Sequence, residues 1–277
     1  MGRVSGVKVA SGFAAAAFVF VVLGLDALWT QGWALFILFG VICFGASVEA
    51  AKMLQKRHKV PAVFVTTAAF TLYLLSAPPF KPALLISALP LLLFFSIVSA
   101  FLVFLSRREG TDGAALAFTL FLPFYIGGGL AFLSLLNRAG QAYNPAYPAL
   151  FIFIVKANDI CGYLLGSSLG RHKLHPVSPA KTVEGSLFGV AGGVGVAYLT
   201  AALFGIKFPA LLLLPFALAC GVFGQMGDLG ESLLKRYSGV KDSADLIPGS
   251  GGLLDFCDCF LLAAPVAFFL LKGITVL

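Results

Sequence analysis

Long apolar runs, separated by short polar or Gly/Pro-containing segments, recur along this chain of 277 residues. A helix needs about 20 mostly apolar residues to cross a bilayer. Only 11% of the residues are charged, whereas soluble domains carry about 25%. These patterns predict an all-α polytopic integral membrane protein with about nine transmembrane helices. The predicted spans are 9–25, 31–50, 60–77, 83–105, 114–136, 148–168, 186–205, 208–226 and 251–272.

The distribution of Lys and Arg predicts how these spans are oriented. With the N-terminus in the cytoplasm, fourteen of the nineteen fall in cytoplasmic segments and four in external ones, and Lys156 lies within a span. Cytoplasmic loops carry the excess of basic residues in membrane proteins. The bias therefore favours a cytoplasmic N-terminus and places the polar loops 169–185 and 227–250 in the cytoplasm. The first run, 9–25, is interpreted as a retained span, since another apolar segment follows it almost at once.

The acidic residues divide the chain into two regions. Eight of the twelve Asp and Glu residues lie between 159 and 258. We therefore expect residues 1–136 to form an apolar transmembrane scaffold and residues 137–277 to form a catalytic region that includes both cytoplasmic loops. The formal net charge is +7, and the basic loops behind it set membrane orientation and attract anionic lipid headgroups. No aromatic-basic array indicates nucleic-acid binding.

The five cysteines do not predict a disulfide framework or a zinc site. Their number is odd, and three of them lie in apolar runs. Cys257 and Cys259 form a CxC pair, but no second pair of Cys or His lies nearby to complete a zinc site. We interpret them as small residues on a helix.

Span six contains two charged residues, Lys156 and Asp159. They are three residues apart and share one helix face. Ionisable residues inside a membrane usually pair with each other or line a polar cavity. The pattern leaves open a structural ion pair and a functional cavity.

The loop 170–185, "GRHKLHPVSPAKTVEG", combines basic residues with hydroxyls. Cationic donors and hydroxyls together suit a phosphate group. A basic loop that only obeys the orientation rule would look similar. The candidate phosphate-binding residues here are Lys173, Ser178, Lys181 and Thr182, accompanied by Glu184.

Downstream, "GQMGDLGESLLKRYSGVKDS" (224–243) places Asp228 at the end of span eight. Glu231 and Lys235 follow at a spacing that allows an i,i+4 ion pair. For Glu231, an exposed amphipathic helix is the alternative interpretation.

The segment "PGSGGLLDFCDC" (248–259) brings Asp255 and Asp258 to the start of span nine. They are three apart and share a helix face. Two carboxylates in a medium of low dielectric constant repel each other unless one takes up a proton or a cation lies between them. Mg²⁺ prefers oxygen ligands, often one or two carboxylates with substrate phosphates, and Asp228 is a candidate third ligand. Two Mg²⁺ ions about 3.5–4 Å apart are the usual clamp for phosphoryl transfer.

Two other enzyme classes are disfavoured by missing motifs. The sequence has no GxSxG elbow of an acyl-transferring hydrolase and no GxxxxGK[ST] loop of a nucleoside triphosphatase.

The segment 232–258, "SLLKRYSGVKDSADLIPGSGGLLDFCD", closely resembles the signature of the phosphatidate cytidylyltransferases, also called CDP-diacylglycerol synthases. That signature runs S-x-L-K-R, four residues, K-D-S, then P-G-H-G-G and D-R-x-D. Upstream, "GDLGES" and "NDICGYLLGSSLGRHKLHPVSPAKTVEG" resemble further family motifs, so that the resemblance covers about 159–258. The matching positions in the signature are Ser232, Lys235, Arg236, Lys241, Asp242, Pro248, Gly249, Gly251, Gly252, Asp255 and Asp258.

Three positions depart from the family pattern. Ser250 replaces the His of PGHGG, Phe256 replaces the Arg of D-R-x-D, and Ala180 replaces the first Lys of PKKT. These departures bear on lipid specificity and activity.

The resemblance implies that CTP and phosphatidate react to give CDP-diacylglycerol and pyrophosphate. It implies Mg²⁺, at two divalent sites or together with K⁺, and a homodimer. We expect the protein to lie in a cell inner membrane, and the Lys/Arg bias predicts an active site facing the cytoplasm. By analogy, Asp228, Asp255 and Asp258 are assigned as metal ligands and, with Lys235 and Arg236, as catalytic residues. The residues assigned to substrate are Asp159, Lys173, Ser178, Lys181, Thr182, Glu184, Ser232, Lys241, Asp242, Gly251 and Gly252.

Three alternatives remain open at this point. The first is a related transferase acting on another lipid phosphate, and the second is an inactive homologue that binds CTP. The third is a transporter whose Lys156 and Asp159 line an ion path. Transporters often carry paired broken helices in two halves, whereas the polar residues here concentrate in one half.

Overall fold

A computed structural model describes residues 21–105, 112–140, 143–206, 208–246 and 251–276. Most of the predicted first span, 9–25, and the positions Pro248, Gly249 and Ser250 of the family signature lie outside the described residues. The helices are α1 (Val21–Thr30), α2 (Trp33–Leu54), α3 (Ala62–Leu74), α4 (Pro82–Leu105), α5 (Gly113–Arg138), α6 (Ala146–Leu169), α7 (Val183–Leu203), α8 (Ala210–Tyr237) and α9 (Leu253–Val276).

The predicted all-α membrane class is confirmed. In the described parts, seven helices are long and apolar enough to cross a membrane, and they coincide with seven of the predicted spans. The predicted span 60–77 corresponds to α3, whose 13 residues extend for only about 20 Å at 1.5 Å per residue. The total of nine spans and the orientation stay predictions.

Two features of the predicted polar loops are structured. Strands β1 (Lys173–His175) and β2 (Ser178–Thr182) pair antiparallel, with Lys173 opposite Thr182 and His175 opposite Ser178. Helix α8 continues to Tyr237, so the first part of the predicted loop 227–250 is helical. The Glu231–Lys235 ion pair supports this extension at i,i+4 spacing.

Apolar side chains cover the outside of the helices as a lipid environment requires. Helix α4 is apolar around most of its circumference, and Phe94, Phe95 and Leu102 are all exposed on it. A helix that leaves such residues exposed is suited to hydrocarbon, because lipid tails are as apolar as these side chains.

The chain divides into two compact units, each described here by itself. Unit 1 comprises Met1–Ser134 with Tyr237–Cys257, and unit 2 comprises Leu135–Arg236 with Asp258–Leu277. In unit 1, α5 widens over Pro123–Gly128, since a proline ring removes a backbone donor. A side chain at Gly127 would collide with the backbone of Ala69 on α3, so this glycine permits the close packing of α3 against α5.

Unit 2 is organised around the pair α6 and α7. Their backbones approach closely because glycines face each other. A Cβ placed on Gly185 would lie 2.7 Å from the carbonyl oxygen of Gly162 and 2.8 Å from the Cα of Gly166. Small residues that let backbones approach are typical of helix contacts in membranes. This packing fixes where α6 and the hairpin β1–β2 hold their polar side chains.

Candidate active site

Acidic side chains from three helices of unit 2 lie together with a lysine of the hairpin. Asp159 comes from α6, Asp228 from α8 and Asp258 from the second turn of α9. The ammonium group of Lys181, on β2, forms an ion pair with Oδ2 of Asp228. These two side chains are 27% and 28% exposed, so the pair is reachable from solvent. The structure thus brings together four residues that the sequence had assigned separately.

Asp258 is the most buried acid of this group, with 7% of its surface exposed. It interacts electrostatically with the carboxylates of Asp228, Glu231 and Asp159 and with the ammonium of Lys156. Helix α8 can lie this close to α9 because residue 227 is a glycine. Any larger residue would bring its Cβ into collision with the carbonyl oxygen of Asp258. Three carboxylates near a fourth in a protein interior require compensating cations.

Lys156 supplies one of those cations. Its Nζ lies 3.8 Å from Oδ2 of Asp159, so the ion pair that the sequence left open as one alternative is formed. The same ammonium lies 3.2 Å from Sγ of Cys259 and 4.6 Å from the ring centre of Phe260. A cation over an aromatic face is attracted by the ring quadrupole. The lysine therefore joins α6 to α9 while remaining near the acids.

An amide network holds α6, α7 and α8 in register beside the acids. Nε2 of Gln225 donates to Oδ1 of Asn158 at 2.8 Å and to the carbonyl oxygen of Ser186 at 3.0 Å, and Nδ2 of Asn158 donates to the carbonyl oxygen of Gly221 at 3.2 Å. The hydroxyl of Ser186 also bonds Oε1 of Gln225. The sequence analysis missed this network, although amides within apolar runs are a usable signal for it.

The polar end of α8 carries the other predicted residues of this unit. Glu231 is fully buried and its Oε2 lies 2.5 Å from Nζ of Lys235. The alternative of an exposed amphipathic helix for Glu231 is therefore wrong, because the carboxylate faces the interior. Ser232 is also buried, with Oγ 3.5 Å from Oδ1 of Asp228. Arg236 donates from Nε to the carbonyl oxygen of Val177 at 3.4 Å, which ties α8 to the hairpin.

Glu184 and Thr182 order the hairpin and the start of α7. Thr182 accepts a hydrogen bond from the backbone N–H of Gly185 at 3.1 Å, which is an N-cap. The Glu184 carboxylate accepts from the backbone N–H of Arg171 at 3.1 Å and lies 2.5 Å from Nδ1 of His172. In the described structure Glu184 thus fixes the beginning of the hairpin. Lys173 is exposed there and Ser178 is half-buried.

Unit 1 holds the remaining predicted metal ligand, Asp255. Its Oδ2 accepts from the backbone N–H of Ser243 at 2.9 Å, from the hydroxyl of Ser243 at 2.5 Å and from the backbone N–H of Gly252 at 2.8 Å. Gly251 has a φ of 88°, a conformation that glycine adopts without steric cost. Lys241 and Asp242 are exposed in the same segment.

The carboxylate oxygens of the acidic cluster in unit 2 are the type of ligand that a hard cation such as Mg²⁺ prefers. Among the described residues, no group of three or more His, Cys, Asp and Glu side chains is arranged to hold a metal ion. Asp228 and Asp258 nevertheless supply carboxylate oxygens near each other. Mg²⁺ commonly binds through one or two carboxylates and completes its shell with water and substrate phosphates. A site of this kind does not need three protein ligands.

The fold and this cluster define a polytopic α-helical membrane protein with a charged site built into its spans. The Cytidylyltransferase family model matches residues 10–274, and the chain belongs to this family. The resemblance found in the signature segment is thereby confirmed at the level of the family.

Several similar proteins carry the name phosphatidate cytidylyltransferase. The protein of that name from Bacillus subtilis (strain 168) is 42% identical over 134 residues, which cover 47% of this chain and 48% of the relative. The one from Synechocystis is 43% identical over 113 residues, 41% of this chain and 39% of the relative. The one from Staphylococcus epidermidis is 38% identical over 157 residues, which cover 56% of this chain and 58% of the relative. The chain thus spans about half the length of the curated relatives it matches.

Proposed function

We propose that the protein is a nucleotidyltransferase that makes CDP-diacylglycerol and pyrophosphate from CTP and phosphatidate. The observation that carries the proposal is the Lys181–Asp228 ion pair beside Asp159 and Asp258, in a chain of the Cytidylyltransferase family. The names of the relatives supply the lipid substrate. A cluster that is both acidic and basic suits this reaction, since a metal–triphosphate complex carries charges of both signs.

In the proposed reaction, an oxygen of the lipid phosphate attacks the α-phosphorus of CTP. The bond from the α-phosphorus to the bridging oxygen breaks, and pyrophosphate leaves with the electron pair. Catalysis of such transfers consists mainly of positioning and charge neutralisation. This role is proposed for Lys181, and the position of its ammonium within the acidic cluster, at the solvent-reachable Asp228, supports it. When CTP binds, we expect Lys181 to exchange Asp228 for a phosphate oxygen.

Asp228 and Asp258 would hold the metal ion. Bound Mg²⁺ would supply neutralisation of phosphate charge and a fixed orientation of the triphosphate. The proposal keeps Asp255 as a further ligand and K⁺ as a companion ion, both on the strength of the family resemblance. Lys235 and Arg236, at the end of α8, and the exposed Lys173 and Lys241 are proposed to bind phosphate groups.

We propose a bacterial inner membrane as the location, with the site facing the cytoplasm and the protein forming a homodimer. The relatives compared above are bacterial, and the excess of Lys and Arg on one side of the predicted spans supports the orientation. CTP would then reach the site from the compartment that contains nucleotides.

The test follows transfer of labelled CMP from CTP into phosphatidate by the purified protein in detergent, with and without Mg²⁺. Asp228→Asn keeps the shape of the side chain but removes its charge, and we expect a loss of at least ~100-fold in kcat, as for removal of one electrostatic contact in a transition state. Asp112→Asn is the matched control, since Asp112 caps α5 in unit 1 and has no place in the proposed site.

The proposal is supported if transfer of CMP requires Mg²⁺, is retained in Asp112→Asn and is lost in Asp228→Asn. Equal activity of the two variants would refute the role of the acidic cluster. If phosphatidate gives no product, a panel of other lipid phosphates separates a related transferase from a protein that only binds CTP. The departures at Ala180, Ser250 and Phe256 are then the positions to revert.

A further inference from the structure

Glu49 is a buried carboxylate in the transmembrane helix α2, and the sequence analysis did not assign it a role. It lies in unit 1 and is 7% exposed. Charged groups inside a membrane span are costly and mark functional or paired positions. A carboxylate at this position therefore needs hydrogen-bond donors that stabilise its charge.

Among the described residues, Glu49 accepts three hydrogen bonds, which come from the start of α9 and from Ser243 before it. Oε1 accepts from the backbone N–H of Leu253 at 3.0 Å, and Oε2 accepts from the backbone N–H of Leu254 at 2.9 Å and from the hydroxyl of Ser243 at 3.0 Å. Leu253 and Leu254 are the first two residues of α9. The first N–H groups of a helix have no partner within the helix, so Glu49 satisfies two of them from another helix.

The same helix start is capped from within by Asp255. Its Oδ2 accepts from the N–H of Gly252 at 2.8 Å, which is the reciprocal half of a capping box. Gly252 is buried, and a Cβ there would collide with the side chains of Glu49 and Ser243. Two carboxylates and a glycine therefore define how the chain enters α9.

Ser243 links the two carboxylates directly. Its hydroxyl lies 3.0 Å from Oε2 of Glu49 and 2.5 Å from Oδ2 of Asp255. A hydroxyl has one proton to donate, so the orientation of Ser243 depends on both acids. Gly45, one helical turn before Glu49, also lets α2 approach this turn closely. A Cβ at this position would collide with the side chain of Leu253.

We propose that Glu49 is a positioning residue for the cytidylyl transfer. It fixes the turn 251–254 and, through Ser243, the orientation of the Asp255 carboxylate, without itself touching substrate. This inference rests on the proposed function, in which Asp255 serves as a metal ligand. Displacements of about 1 Å at a reacting group can cost on the order of 100-fold in rate.

The experiment compares Glu49→Gln and Glu49→Ala with the control Ser47→Ala. Ser47 is also buried on α2, but its hydroxyl donates to the carbonyl oxygen of Phe44 within the same helix. The three readouts are hydrogen exchange at the amides of Leu253 and Leu254, the Mg²⁺ concentration for half-maximal activity, and kcat with the KM for CTP. Glu49→Gln preserves volume and one acceptor, so it remains informative if Glu49→Ala does not fold.

We expect Glu49→Gln to speed exchange at these amides, to lower kcat by roughly 10-fold and to raise the Mg²⁺ requirement at least ~3-fold, since a charged acceptor is lost. The KM for CTP should stay within about 2-fold, and Glu49→Ala should exceed Glu49→Gln on every readout. Ser47→Ala should match the wild type.

Unchanged exchange in both Glu49 variants would overturn the inference. Faster exchange with an unchanged kcat and Mg²⁺ requirement would also overturn it, because Glu49 would then be only a helix cap. A wild-type protein that transfers no CMP overturns the proposed function and the positioning role with it, whereas an active wild type with unaffected variants overturns the role of Glu49 alone.

Discussion

Replacing Gly185 by Ala tests whether the close approach of α6 and α7 sets the architecture of unit 2. The added methyl would lie 2.7 Å from the carbonyl oxygen of Gly162, 2.8 Å from the Cα of Gly166 and 2.9 Å from Oγ1 of Thr182. Two of these atoms belong to helix backbone, which cannot swing away as a side chain can. Relief requires α6 and α7 to separate by several tenths of an ångström.

The expected cost follows from this geometry. Overpacking a tight contact costs about 1–3 kcal/mol, and displacing Thr182 also weakens the N-cap of α7, which is worth about 1 kcal/mol. We therefore expect Gly185→Ala to lower the free energy of unfolding by about 2 kcal/mol, a factor of roughly 30 in the equilibrium constant. For a chain of this size, this corresponds to a fall in Tm on the order of 4–8 °C.

Gly195→Ala is the matched control on the same helix. A Cβ at Gly195 meets nothing within 4 Å, so the same chemical change adds no clash. We expect it to leave stability unchanged or to raise it by up to about 1 kcal/mol, the difference in helix propensity between the two residues.

The assay uses the protein's own thiols. Cys43, Cys220, Cys257 and Cys259 are buried, so a thiol-reactive dye added during heating in detergent reports their exposure on unfolding. The reasoning is refuted if Gly185→Ala and Gly195→Ala melt at the same temperature. Activity should follow stability, since Asp159 and Lys181 are held on either side of this packing.

Two further outcomes are expected. Gln225→Leu removes the donor to Asn158 and should lower the free energy of unfolding by about 1–3 kcal/mol; a melting temperature equal to that of the wild type would show that the amide network contributes nothing. The hydrogen bond from His58 lowers the pKa of the Asp112 carboxyl, so its stabilisation is present above the ordinary carboxyl pKa of about 4 and is lost as the pH falls through the lowered value. The stability difference between the wild type and Asp112→Asn should therefore shrink as the pH falls below about 4, and a constant difference would contradict this.

The sequence by itself determined the class of the protein and the identities of most candidate residues. Helix-length apolar runs leave few alternatives in a bilayer, because only structures that satisfy their own backbone hydrogen bonds can cross it. Local spacing also allowed the Lys156–Asp159 and Glu231–Lys235 pairs, since neighbours three or four apart on a helix can meet without help from the rest of the fold. The resemblance then implied a metal-binding role for Asp255 and Asp258 of the signature and for Asp228 of the preceding GDLGES motif.

Only the tertiary structure decided which of these residues lie together. Lys181 and Asp228 are 47 positions apart in the sequence, and they pair because the fold brings β2 beside α8. The partnership of Glu49 with Ser243 and Leu253 is similarly invisible in the sequence, because Glu49 lies about 200 residues away from both. Spacing along a chain reports contacts within one helix, whereas the partners of a buried charge are set by packing between helices, which no local pattern records.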